Sequence, residues 1–367
     1  MAVKTRGIMS VEQLNDMQRY LGEEIYDNYK DGWINRRQML KRVILICGSS
    51  AGAAALLAAC GDTATPVPST TSAVATTTNA ITTIAAMTSA ATTTSALTNA
   101  ATTTSGAAMA TTASSNGTTV AATTTAASKS PLSVAANDPD IQGSDVTFQS
   151  DVSVFGYLAR PKATGNYATV IVIHQNTGLT EHIKDVARRV AKAGYIALAP
   201  DLASRGGGTG KFSADTITKF FADAKPTDMV KDLNTAVDFV QKQDGAQAGK
   251  IGVVGFCYGG GLALSLAAAN PKILAGVSYY GPAPQPVSQM SATNAAILGQ
   301  YGALDTRVDS SIPPMEQVLK DSGKTFMKNI YDGANHAFND DTRPSYVELA
   351  ALPAWKATLD WSAKYLK

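Results

Sequence analysis

The chain has 367 residues, a net charge of +2 and only 16% charged residues. A balance this close to neutral gives no basis for a nucleic-acid partner. The length permits two domains, but charge and aromatic residues are spread so unevenly that a single folded domain behind a long leader is the better expectation.

In chain order, "SVEQLNDMQRYLGEEIYDNY" (10–29) spaces Leu14, Met17, Leu21 and Ile25 at helical intervals and predicts a helix whose role the sequence does not define. Met1–Ile8 fits no element, so Met9 is an alternative start. "NRRQMLKR" (35–42) pairs two arginines ahead of a moderately apolar run, Val43 to Ala59, and resembles a bacterial twin-arginine export signal. The run ends in Leu57-Ala58-Ala59-Cys60, which resembles a lipoprotein signal-peptidase site and would leave Cys60 as a lipidated N-terminus. The blander alternatives are a plain signal anchor or a short core helix. On the lipoprotein reading, 1–59 is leader and the protein sits on the outer face of the cytoplasmic membrane, held by acyl chains at Cys60.

From Thr63 to Ala127 the chain is almost wholly Thr, Ala and Ser, with no charged and no aromatic residue. Such a stretch has little bulky apolar surface to set against its backbone entropy, and 60–135 is expected to be a disordered tether, plain or O-glycosylated. The three cysteines are then Cys47 in the leader, Cys60 for lipid and Cys257, so no disulfide is expected.

The folded domain is expected at 136–367. "DVTFQS" and "VSVFGYLARP" alternate apolar and polar residues and predict an antiparallel start. "ATVIVIHQ" (168–175) is a β-branched run, as a strand buried on both faces requires. Further strands are predicted at 195–201, 250–256, "ILAGVSYYG", "AAILGQYG" and "TFMKNIYDG". Helices are predicted at 181–194, closed by Gly194, at 228–243 with Thr227 as cap, at 260–270, at 313–323 and through the C-terminal run to Leu366. This alternation implies an α/β fold with a mostly parallel sheet covered on both faces, and chemistry beyond the C-terminal ends of the strands.

Three such ends carry chemistry-bearing residues. Gly255-Phe256-Cys257-Tyr258-Gly259 has the spacing of a nucleophile elbow with sulfur in place of oxygen, and the helix that follows favours a thiolate at Cys257. Asp305 follows "GQYGAL", with Asp309 as a rival, and His336 lies in "YDGANHAF" past the last strand. A cysteine between strand and helix is more often core than catalyst, but the flanking glycines reverse that here. The order nucleophile, acid, histidine is that of α/β-hydrolases. Of the other histidines, His182 reads as solvated or packing, and His174 as lining the site or supporting a loop. "RGGGTGKF" (205–212) lacks the spacing of a phosphate loop, the three histidines show no metal-ligand spacing, and neither cofactor nor metal is expected.

From Val146 to Leu366 the chain resembles the dienelactone hydrolases, through "VIVIHQNTGL", "GYIALAPDL", "GKIGVVGFCYGG" and "GANHAF". The resemblance implies an α/β-hydrolase fold and a Cys257–His336–Asp305 triad acting on small esters or lactones through a thioester. The oxyanion donors would be the backbone N–H groups of Tyr258 and Asn176. Gln175, Arg205 and Phe338 would line the substrate site. The sequence departs from the family at Gln175, where a glutamate that contacts the resting thiol is usual. It departs again at Asp340, which replaces an arginine that holds the carboxylate of dienelactone; Arg343 is a possible substitute. A monomer acting on a small molecule is expected. The alternatives are a non-catalytic binding protein on the same fold, and a thioesterase or peptidase.

Overall fold

The computed structural model describes residues 14–60 and 130–367. Residues 1–13 and most of the expected tether, 61–129, lie outside the described residues, and so does the alternative start at Met9.

An eight-stranded sheet organises the domain, in the order β1-β2-β4-β3-β5-β6-β7-β8. The strands are β1 (Ile141–Gln149), β2 (Ser153–Pro161), β3 (Tyr167–Ile173), β4 (Ile196–Pro200), β5 (Ala246–Phe256), β6 (Ile273–Tyr279), β7 (Ala296–Gly302) and β8 (Phe326–Tyr331). β1 pairs antiparallel with β2, and β2 with β4; every later pairing is parallel. The alternating segments thus form the antiparallel edge, and the β-branched runs form the parallel centre. Ile251, Gly252, Val253 and Val254 are all buried, so both faces of β5 are covered. The covering helices include α4 (Glu181–Lys192), α6 (Pro226–Val240), α7 (Tyr258–Ala269) and α10 (Glu348–Leu366). Trp361 of α10 donates its indole N–H to Ala296 O at 3.1 Å, tying that helix to the start of β7.

Local chemistry moved some boundaries. α6 begins at Pro226 rather than after Thr227, because a proline whose amide needs no acceptor suits the first helical position. A short helix not expected from the sequence, α5 (Thr216–Asp223), buries Ile217, Phe221 and Ala222. α8 (Thr306–Asp309) and α9 (Ile312–Asp321) carry the chain from β7 to β8.

Ahead of the sheet, three helices pack onto the same body: α1 (Asp16–Lys30), α2 (Arg36–Cys47) and α3 (Ser50–Ala59). Asn15 and Asn35 cap α1 and α2, each in a reciprocal pair with the glutamine three residues on. Arg36 and Arg37 are exposed in the first turn of α2. The apolar run from Val43 to Ala59 is broken: Gly48 closes α2 at φ +69° and Ser49 caps α3. The two helices meet at 110°, and among the described residues no single helix is long and apolar enough to cross a membrane. Leu21, Met39, Val43, Ile46 and Leu56 are fully buried, each such side chain contributing about 1.5–3 kcal/mol.

Candidate active site

The parallel strands end on one rim, and four of those ends build the site. β5 runs straight into α7 through Cys257, whose φ of 54° lies in the left-handed region a side chain rarely adopts. The turn is possible because its neighbours have no side chains. A Cβ on Gly255 would stand 1.9 Å from Gly259 O, and one on Gly259 would stand 2.4 Å from His174 O and 2.5 Å from Ile173 O. Cys257 N–H donates to Tyr279 O at 3.0 Å, which ties the elbow to β6. Tyr258 is the first residue of α7, where a backbone N–H has no acceptor within the helix and is available to an anion.

Beyond β7, Asp305 caps α8 by accepting from Val308 N–H at 3.3 Å with Oδ1, and its Oδ2 lies 2.6 Å from His336 Nδ1. Both residues are buried. Burial works against the charge on His336, but the Asp305 carboxylate and the Cys257 sulfur outweigh it and push the imidazole pKa up to about 10. Burial likewise works to raise the Asp305 pKa, but the imidazole overcomes it and holds the carboxyl below its ordinary value. His336 Nε2 is buried with no hydrogen-bond partner. A His336 ring nitrogen, Cys257 Sγ and a Glu24 carboxylate oxygen all lie within 4.8 Å of one another. Tyr280 stands beside the imidazole at 5.1 Å between ring centroids.

The rival Asp309 is not paired with His336; burial and the nearby Asp305 charge raise its pKa to about 6. His174 supports a loop: its Nε2 accepts from Leu202 N–H at 3.0 Å, and burial lowers its pKa. His182 is neither solvated nor in simple apolar packing. It is buried, with Nδ1 at 3.0 Å from Asp341 Oδ1 and 3.6 Å from Asp340 Oδ1.

The residues expected to line a substrate pocket are largely committed to protein partners. Gln175 donates its Nε2 to Asp340 Oδ2 at 2.7 Å. Arg205 is held by Asp232 at 2.8 and 2.9 Å and by Asp151 at 2.6 Å, which already neutralises its guanidinium. Phe338 is fully buried between Tyr280 and Tyr331, with ring centroids at 5.4 and 5.3 Å. Arg343 pairs with Asp340 at 3.0 Å, so the acid that would repel an anion is itself neutralised.

Two side chains that no motif pointed to stand on the thiol. Cys257 Sγ donates to Glu24 Oε2 at 3.0 Å, and Tyr20 Oη lies 3.6 Å from the same sulfur. Glu24 Oε1 accepts from Asn176 Nδ2 at 2.9 Å. Both residues come from α1, more than 230 positions away in sequence. The helical spacing of that segment was visible; its destination was not.

The Dienelactone hydrolase family model matches residues 154–366, more than half the chain. The chain belongs to the dienelactone hydrolase family. Among curated relatives, proteins named "Putative carboxymethylenebutenolidase" from Methylorubrum extorquens and Salmonella typhimurium are 34% and 35% identical over 221 and 222 residues. The alignments cover 57% of this chain in both cases, and 76% and 82% of those relatives. A solved dienelactone hydrolase family structure from Klebsiella pneumoniae superposes with a TM-score of 0.58 at 33% identity, covering 61% of this chain and 99% of that one. The chain is therefore a hydrolase of the dienelactone hydrolase type with an α/β-hydrolase fold. The matched part runs from β2 through α10; β1 and α1–α3 lie outside the matched residues.

Proposed function

We propose that this dienelactone hydrolase family member cleaves small esters or lactones with Cys257 as nucleophile, His336 as base and acid, and Asp305 as the group that orients the imidazole. The observation that carries the reading is the 2.6 Å contact of Asp305 with His336 Nδ1, which leaves Nε2 for the thiol. His336 takes the proton from Cys257, and the thiolate adds to the carbonyl carbon. The oxyanion is met by the Tyr258 and Asn176 N–H groups. The tetrahedral adduct collapses by breaking the C–O bond, and His336 returns the proton to the leaving oxygen. In a lactone that oxygen stays on the acyl chain. Water, deprotonated by His336, then cleaves the thioester to a carboxylate and restores the thiol.

The test is acyl-enzyme trapping. Brief exposure to p-nitrophenyl acetate and acid quench should give a +42 Da adduct on the Cys257 peptide, absent in Cys257→Ala and strongly reduced in His336→Ala. An adduct elsewhere, or hydrolysis of peptides alone, would overturn the assignment.

Residues 36–60 support a second proposal, export and lipid attachment at Cys60. Arg36 and Arg37 stand exposed at the start of a capped helix, and Cys60 directly follows Leu57-Ala58-Ala59 at the end of α3. Incorporation of labelled palmitate that is lost in Cys60→Ala would support it; no incorporation in a bacterial host would end it.

A further inference from the structure

Cys257 is fully buried, and what buries it on the approach side is α1. We propose that α1 is an intramolecular plug that holds the hydrolase closed, with the Glu24 carboxyl seated where the acyl group of a substrate or the carboxylate of a product would sit. The proposal rests on Cys257 being the nucleophile.

The chemistry of the contact is specific. A carboxyl group is what ester hydrolysis leaves behind, and Glu24 presents one with Oε2 on the nucleophile and Oε1 on Asn176, the residue whose backbone is assigned to the oxyanion. Glu24 and Cys257 are both fully buried, so solvent reaches neither the carboxyl nor the sulfur it covers. Tyr20 closes a second direction at 3.6 Å.

A ring of polar contacts holds the plug down. Asp27 accepts from Arg307 at 3.0 Å, and the same guanidinium lies 4.5 Å from the Tyr20 ring centroid. Asp31 accepts from Asn335 Nδ2 at 3.0 Å, one residue before the imidazole. Trp33 stacks on Arg343 at 3.7 Å, and Asn28 accepts from it at 3.3 Å. Farther out, Arg42 and Lys41 of α2 grip Asp215 at 2.9 and 2.6 Å. These partners come from the chain on both sides of the site, at 215, 307, 335 and 343. Arg343, already paired with Asp340, is covered by Trp33 on its ring-facing side.

The plug is built from side chains rather than from a covalent link, so it can leave. Substrate would gain access in proportion to the open fraction. Cleavage ahead of Cys60, as lipoprotein processing would require, removes α1–α3 whole.

The experiment uses the full chain in two independent variants, Asp27→Arg with Trp33→Ala at the latch over the site, and Lys41→Glu with Arg42→Glu at the distant latch. Circular dichroism confirms the fold of each. The readouts are the rate of iodoacetamide alkylation of Cys257, followed on its own peptide by mass spectrometry, and kcat/KM for p-nitrophenyl acetate. Each variant should alkylate about tenfold faster or more, since each removes two charged contacts from the closed state alone, and hydrolysis should rise in step. A third arm cuts a protease site inserted near residue 95, with the same expected direction. Faster alkylation without any hydrolysis would uphold α1 as the cover of Cys257 and sink the reading of Cys257 as an ester-cleaving nucleophile. Unchanged alkylation in folded variants would overturn the plug. So would a fall in hydrolysis as alkylation rises, because α1 would then complete the site rather than block it.

Discussion

The elbow makes a strict steric prediction at Gly259. A methyl group there would lie 2.4 Å from His174 O and 2.5 Å from Ile173 O, both backbone atoms of the central strand and its exit, which cannot rotate away. Restoring ordinary contact requires the start of α7 to lift from β3 by about 1 Å, and overpacking of this kind costs about 1–3 kcal/mol. The same movement carries the Tyr258 N–H and Cys257 Sγ with it. A displacement approaching 1 Å at reacting groups costs about a hundredfold in rate. Gly259→Ala should therefore lower the urea midpoint measurably while dropping kcat far more than KM changes. The control is Gly210→Ala, where a Cβ meets nothing within 4 Å; surface changes of that kind stay within about 0.5 kcal/mol. Both measurements are to be made on a plug-released chain, so that access does not mask geometry. If Gly259→Ala matched the control in midpoint and kept its rate within threefold, the tight-elbow argument would be wrong.

Asp305→Asn should leave His336 buried without its carboxylate. In the wild type the raised imidazole pKa adds stability below about pH 6.5 that is lost as pH climbs through about 10. The stability gap between the two proteins should thus be widest near about pH 5–6 and close toward pH 10; a pH-independent gap in urea midpoints would contradict this. Gln175→Glu, which restores the residue usual in the family, should destabilise rather than help. It sets a second carboxylate 2.7 Å from Asp340 Oδ2, a clash worth about 1–3 kcal/mol at neutral pH. Because the new carboxyl would bind its proton more tightly folded than unfolded, the deficit should shrink as pH falls, which thermal melts at two pH values can read. His174→Leu should cost about 1–3 kcal/mol by orphaning the Leu202 N–H, with a midpoint equal to wild type as the contrary result.

Much of the sheet and of its rim was legible because local chemistry wrote it twice. The β-branched run at 168–173 and the glycines around Cys257 are each demanded by burial or by a close approach, so the order of strand, turn and helix followed from residue types alone. The spacing of Cys257, Asp305 and His336 past three parallel strands was legible for the same reason. What the chain could not announce was pairing at long range. Arg205 looked free because Asp151 and Asp232, which neutralise it, lie 54 and 27 residues away. His182 reads as solvated or packing because nothing near it predicts Asp341. Asn15 and Asn35 cap their helices with glutamines three residues on; the first segment reads as a helix and the second as an export signal, and a cap says nothing about where a helix docks. The contact of Glu24 with Cys257 spans 233 positions and has no local signature.

The bend between Gly48 and Ser49 bears on the proposed export. Folded at 110°, the run from Val43 to Ala59 spends Val43, Ile46, Leu56 and Leu57 on a protein interior. A lipid bilayer would solvate those same four side chains. If the proposed export holds, membrane uptake and the packed arrangement compete for one set of apolar groups, and the outcome would also set whether the helix carrying Glu24 stays on the thiol.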